Sequence, residues 1–162
     1  LGLEAGDFDF RCPLQVVGTG HGKLMVALER RSRLVELQPD FDRLAALSPA
    51  IGSNGYFVFT LDVDEDDDAL CHGRMFAPAI GVDEDPVTGN ANGPLGAYLV
   101  RHGLLRSEDG VVRFRARQQA ATGRGGYVDV EVRVRNGEPV DVAITGHAVL
   151  GSQVAQLLPD SA

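Results

Sequence analysis

The residues best suited to chemistry lie in one run, Gly81-Val82-Asp83-Glu84-Asp85-Pro86-Val87-Thr88-Gly89-Asn90-Ala91-Asn92-Gly93-Pro94, just ahead of an apolar stretch with helical character. The first turn of a helix offers backbone N–H groups without partners and the positive end of the macrodipole. Glycine there lets a ligand come close to the backbone, so the place suits a carboxylate or a phosphate. Asp83, Glu84 and Asp85 crowd the approach. A buried acid among them could hold a proton and donate it. The same run also reads as an ordinary helix entry, with Asp85 or Thr88 as the cap and the other acids in water.

The elements around this run follow from spacing. The span 91–102 is predicted as a helix, apolar on most sides and therefore enclosed. Pro94 is tolerated only near a first turn, which puts the helix start close to Gly89–Asn92. Gly93, Gly96 and Ala97 would let neighbouring backbone approach it. Short strands are predicted at 14–17, 24–28 and 56–61, with a further one at 34–37, and residues 69–76 read as extended. Asp40 is placed to cap a helix carrying Phe41, Leu44, Ala45 and Leu47. Farther on, 111–118 and the alternating Val128, Val130, Val132 and Val134 read as strands. Asn136-Gly137 then marks a hairpin leading into 140–150. Many antiparallel strands and one enclosed helix imply an α+β domain in which sheet wraps helix.

Composition narrows the partners. The chain has 162 residues, 44% of them hydrophobic, which suits a single domain with a real core. No apolar run reaches bilayer length, so no membrane helix is expected. A net charge of −8 argues against nucleic acid and anionic membrane surfaces, while leaving a local anion site possible. Cys12 and Cys71 form no CxxC, and we expect free thiols in a cytoplasmic protein. The chain opens on Leu1 without an initiator Met or signal-peptide pattern, a start that suits a segment of a longer chain or a processed one. Asp62, Asp64, Asp66 and Asp68 lack the glycine and glutamate of a calcium loop and read as a solvated hairpin tip. His21, His72, His102 and His147 show no metal-ligand spacing, so no metal is expected. The glycines from 18 to 22 do not form a dinucleotide fingerprint.

The run Glu84-Asp85-Pro86-Val87-Thr88-Gly89-Asn90-Ala91 resembles the second-domain signature of the phenazine-biosynthesis-like (PhzF-like) isomerases. The resemblance extends upstream through residues 17–26 and 74–78, and downstream through Gln118, Gly123-Arg124 and the valine-rich strand, so it covers nearly the whole chain. It implies the diaminopimelate-epimerase-like fold: two similar domains, each a mostly antiparallel β-barrel around a central helix, with the active site between them. Residues 1–162 would form the C-terminal domain, with 91–102 as its central helix.

By this resemblance the Thr88-Gly89-Asn90 turn binds substrate, the amides of Gly89 and Asn90 holding its carboxylate, and Asp85 contributes an acid to proton transfer. No cofactor is implied. The partners are a small carboxylate-bearing substrate and either the missing N-terminal half or a second copy, giving a dimer. Many members have Ser where this chain has Asn90, which resembles an uncharacterised bacterial branch more than the phenazine-pathway enzyme. The family's general base, a Glu on the first domain, has no counterpart here. Gly146-His147 only superficially resembles its motif, and His21 and Arg74 are expected to be structural or to support the cleft. Epimerisation or a double-bond shift by proton abstraction and return is the expected chemistry of the parent protein, this chain alone being inactive. The other reading is a non-catalytic anion-binding or assembly module.

Overall fold

The computed structural model describes residues 1–148, and 149–162, including the end of the last predicted strand, lie outside the described part. Eight strands are β1 (Gln15–Val17), β2 (Lys23–Leu28), β3 (Tyr56–Thr60), β4 (Cys71–Ala77), β5 (Val82–Asp85), β6 (Gly110–Gln119), β7 (Gly125–Arg135) and β8 (Glu138–Gly146). Three α-helices, α1 (Arg31–Glu36), α2 (Phe41–Ile51) and α3 (Gly89–Arg101), complete the framework. The strands form one sheet in the order β1-β2-β3-β4-β6-β7-β8, with β5 paired to β4. The pairings are antiparallel except β2 with β3 and β4 with β6. The sheet curls into a half-barrel around α3, which touches β7 and β8 on one side and β1 and β2 on the other. The expected α+β class, a mostly antiparallel barrel around a central helix, therefore holds.

Packing explains the strand sequences. In β2 and β3 both faces are covered. Met25, Ala27, Phe57 and Phe59 meet Leu95, Tyr98 and Leu99 of α3, while Val26, Leu28, Tyr56 and Val58 meet Leu34, Leu37 and Leu44 beneath α1 and α2. Strands buried on both faces read as continuous apolar runs. β7 has one buried face, and Val128, Val130, Val132 and Val134 fill it. Helix α3 lies close against that strand: a Cβ on Gly96 would sit 2.7 Å from Val132 Cγ2. The β7–β8 turn, Asn136-Gly137, has both residues at positive φ, 52° and 76°, as a tight hairpin requires.

One expectation needs correction. Residues 31–36 are a helix and not a strand, because Leu34 and Leu37 are buried three apart while Val35, between them, is 72% exposed. In the acidic stretch between β3 and β4, Asp62, Asp64, Asp66 and Asp68 are exposed, as expected of a solvated hairpin tip, and ion pairs tie the stretch to its neighbours. Asp64 pairs with Arg31 at 2.7 Å, Asp67 with His72 at 2.7 Å and Asp68 with Arg115 at 2.6 Å. Cys12 and Cys71 are free, buried thiols whose ionisation is pushed up by burial, to about 11 and about 12. Among the described residues no helix is long and apolar enough to cross a membrane.

Candidate functional site

Helix α3 begins at Gly89 with Thr88 as its N-cap residue, and Pro94 lies inside it. Thr88 thus holds the cap position that the plain helix-entry reading allowed, but neither its side chain nor that of Asp85 caps the helix. The Thr88 hydroxyl instead donates to Asp85 Oδ2 at 2.6 Å. Behind the turn stands Gln118, 1% exposed. Its Nε2 donates to the Asp85 carbonyl at 2.6 Å and to Thr88 Oγ1 at 3.1 Å. Its Oε1 accepts from the Thr88 amide and from Asn92 Nδ2, both at 3.0 Å. Asn92 Nδ2 also donates to the Thr88 carbonyl at 2.8 Å. Spanning from β6, one buried side chain thus fixes the loop between β5 and α3.

The amides that follow are differently placed. Ala91 and Asn92 donate to the Thr88 carbonyl, both at 3.2 Å. Among the described residues, the N–H groups of Gly89 and Asn90 find no acceptor. Gly89 is half-buried and Asn90 exposed, so neither is packed away inside the protein. A side chain at Gly89 would run into Ile144 Cδ1 of β8, and glycine relieves that approach. Two unpartnered donors at the positive end of a thirteen-residue helix, beside a half-buried carboxyl, are equipped to receive an anion.

The other acids part company here. Asp83 is exposed. Glu84, on the opposite face of β5 from Asp85, is consumed by Arg74: Nε donates to Oε1 at 2.7 Å and Nη2 to Oε2 at 3.1 Å. Its Oε2 also accepts from the Ala121 amide at 3.0 Å. Arg74 Nη1 caps the end of α1 through the carbonyls of Leu34 and Leu37 at 3.1 Å. Arg74 is therefore structural. His21 and His147 are exposed. His102 follows the last turn of α3, its Nε2 2.8 Å from Gln15 Oε1. Among the described residues no cluster of three or more His, Cys, Asp or Glu side chains could hold a metal ion.

Sequence reasoning did not place Gln118 in the site. The available signal was its phase: Ala116 and Gln118 share the inward face of β6, where a glutamine must have partners.

Similarity to known proteins bears on the family of this chain. A model of the phenazine biosynthesis-like protein family matches residues 1–153. An uncharacterized isomerase from Clostridium acetobutylicum is 51% identical over 150 residues, covering 93% of this chain and 49% of that protein. Trans-2,3-dihydro-3-hydroxyanthranilate isomerase from Pseudomonas aeruginosa is 33% identical over 107 residues, 63% of this chain and 32% of that protein. The crystal structure of a Bacillus anthracis phenazine biosynthesis protein of the PhzF family superposes with a TM-score of 0.78 at 26% identity, over 90% of this chain and 49% of that one. The chain spans about half the length of the curated relatives it matches. With its curled sheet, enclosed helix and Thr-Gly-Asn turn, this chain belongs to the phenazine biosynthesis-like family of isomerases.

Proposed function

We propose that this chain is the C-terminal half of a two-domain, cofactor-independent isomerase acting on a small carboxylate. The observation that carries the reading is the pair of unpartnered amides at Gly89 and Asn90 beside the Asp85 carboxyl. The substrate carboxylate docks on those amides. A base on the remainder of the protein, a glutamate by family resemblance, takes a proton from an activated carbon. Asp85 takes part in returning a proton to the new position, and Thr88 holds its carboxyl in place. Fixed N–H dipoles stabilise charge that develops on the substrate without having to reorganise. The relative named as a dihydrohydroxyanthranilate isomerase acts on a ring carboxylate, which fits the same class of ligand.

The remaining half, or a second copy, would cover the apolar surface at Phe10, 82% exposed, and Leu14, 58% exposed. Free buried thiols suit a cytoplasmic setting.

Two measurements test the reading. Titrating 15N-labelled protein with 3-hydroxyanthranilate should move the Gly89 and Asn90 amide resonances first. Shifts confined to other residues would remove the anion site. In the full two-domain protein, deuterium incorporation from D2O into the substrate should fall by about a hundredfold or more in Asp85→Asn, the scale of one lost acid–base group. Undiminished incorporation would remove Asp85 from the chemistry. Binding without any incorporation in the wild-type two-domain protein would favour the non-catalytic module.

A further inference from the structure

We infer that Gln118 is a positioning residue that dictates which oxygen of Asp85 can carry a proton. This rests on the reading of Asp85 as a proton-handling group. The orientation of Gln118 is settled by two backbone groups whose roles are fixed. The Thr88 N–H can only donate, so the atom 3.0 Å from it is the amide oxygen. The Asp85 carbonyl can only accept, so the atom 2.6 Å from it is the amide nitrogen. Asn92 agrees: its Nδ2 faces two acceptors, Gln118 Oε1 and the Thr88 carbonyl.

With Gln118 so fixed, its second N–H points at Thr88 Oγ1. A threonine hydroxyl has one proton and two lone pairs. Having accepted from Gln118, Thr88 keeps its proton for its other partner, Asp85 Oδ2 at 2.6 Å. The Thr88 proton finds no other acceptor among the described residues, so Oδ2 is the oxygen that receives it and stays bare. Among the described residues Oδ1 makes no hydrogen bond, so any proton Asp85 carries resides on Oδ1. The chain of bonds runs in one direction, from the buried strand β6 through Thr88 to the carboxyl. It converts a symmetric carboxylate into one with a bare, held oxygen and a working oxygen. When Asp85 donates, the O–H bond at Oδ1 breaks, the electron pair remains on the carboxylate, and the proton forms the new bond at the substrate.

Neutron diffraction from deuterium-exchanged crystals of the chain tests this directly. The Thr88 deuteron should point at Asp85 Oδ2, and on acidification the deuteron gained by Asp85 should appear on Oδ1. A deuteron on Oδ2, or a Thr88 deuteron aimed at Gln118, overturns the inference. Gln118→Glu removes the N–H and should swing the Thr88 deuteron away from Asp85. Should that variant fail to fold, Thr88→Val, which keeps the Gln118 bonds to the Asp85 carbonyl and Thr88 amide, serves instead. It should leave the Asp85 carboxyl in more than one rotamer, while Thr88→Ser retains a single one. A single rotamer in Thr88→Val overturns the relay. None of these outcomes depends on turnover, so the relay can fail while anion binding and deuterium incorporation stand, and the reverse.

Discussion

Glu84 and Asp85 are neighbours in one four-residue strand, yet they belong to two different regions of the molecule. Strand alternation sends Glu84 to the α1 side and Asp85 to the α3 side. On the α1 side, both carboxylate oxygens are tied to a guanidinium, itself 6% exposed, that also caps a helix. On the α3 side, the carboxyl takes a single bond from a hydroxyl, and the neutral groups behind it hold the backbone. The difference teaches that a carboxyl's availability is decided by what occupies its second oxygen. A charge locked in a buried, bidentate pair is part of the framework. One held by a single oriented hydroxyl keeps an oxygen for chemistry.

The strongest way to break this contrast is to remove Arg74. Arg74→Met leaves Glu84, 11% exposed, without a counter-charge and strips the carbonyls at the end of α1 of their donor. A loss of about 3–5 kcal/mol is expected, the usual cost of orphaning a buried ion-pair partner. Urea unfolding followed by circular dichroism would measure it. Asp85→Asn, in the same experiment, should stay within about 0.5 kcal/mol of wild type, because the amide oxygen still accepts from Thr88. Equal losses in the two variants would mean that Asp85 is as much framework as Glu84.

A pH experiment sharpens the comparison from the framework side. Asp9 is buried beneath the exposed Arg11, and Asp7 is bonded by Arg33. Both carboxyls are held below their ordinary value, Asp9 chiefly by the Arg11 side-chain hydrogen bond and Asp7 chiefly by that from Arg33. The folded chain thus binds these protons less readily than the unfolded chain. The stabilisation is complete above the unfolded carboxylate value of about 3.9 and is lost as pH falls through the lower folded values. The urea midpoint of the wild type should therefore drop on acidification below about pH 4, again the unfolded carboxylate value. In Asp9→Asn the midpoint should start lower and drop less. Parallel curves for the two proteins would show that Asp9 has no share in the acid transition.

What could be read from the sequence follows the range of each interaction. The α3 start, the valine face of β7 and the Asn136-Gly137 turn rest on neighbours within a few residues, and all were legible. Helix α1 was not, because six residues hold too little periodicity and its Arg33 answers to Asp7, 26 positions away. Likewise Asp85, Thr88, Gly89 and Asn90 were legible as one motif. Gln118 was not recognised as their support, since its contacts reach back 26 to 33 residues. Of the three acids, the family resemblance singled out Asp85, but local spacing could not show that Glu84 is consumed, because its partner Arg74 comes from another strand.

The smallest effect is the one that separates burial from pairing. Arg113 Nε donates to Glu131 Oε1 at 2.7 Å, the same distance as Arg74 Nε to Glu84 Oε1. These side chains face each other across β6 and β7 at 65% and 47% exposure. If the contact itself locked a carboxylate into the framework, the two pairs would be worth similar amounts. Water and salt screen the exposed pair, and holding two mobile side chains together costs entropy, so its coupling should be about 0.2–1 kcal/mol. A double-mutant cycle with Arg113→Ala and Glu131→Ala would measure it, and the value should shrink further at high salt. A coupling as large as the Arg74→Met loss, persisting at high salt, would mean that an arginine contact alone turns an acid into framework, wherever it sits. A small, salt-sensitive coupling instead assigns the rigidity of the Glu84 side to burial beneath α1. That leaves Asp85, half-buried and with no arginine partner among the described residues, as the carboxyl of β5 we propose to act on the substrate.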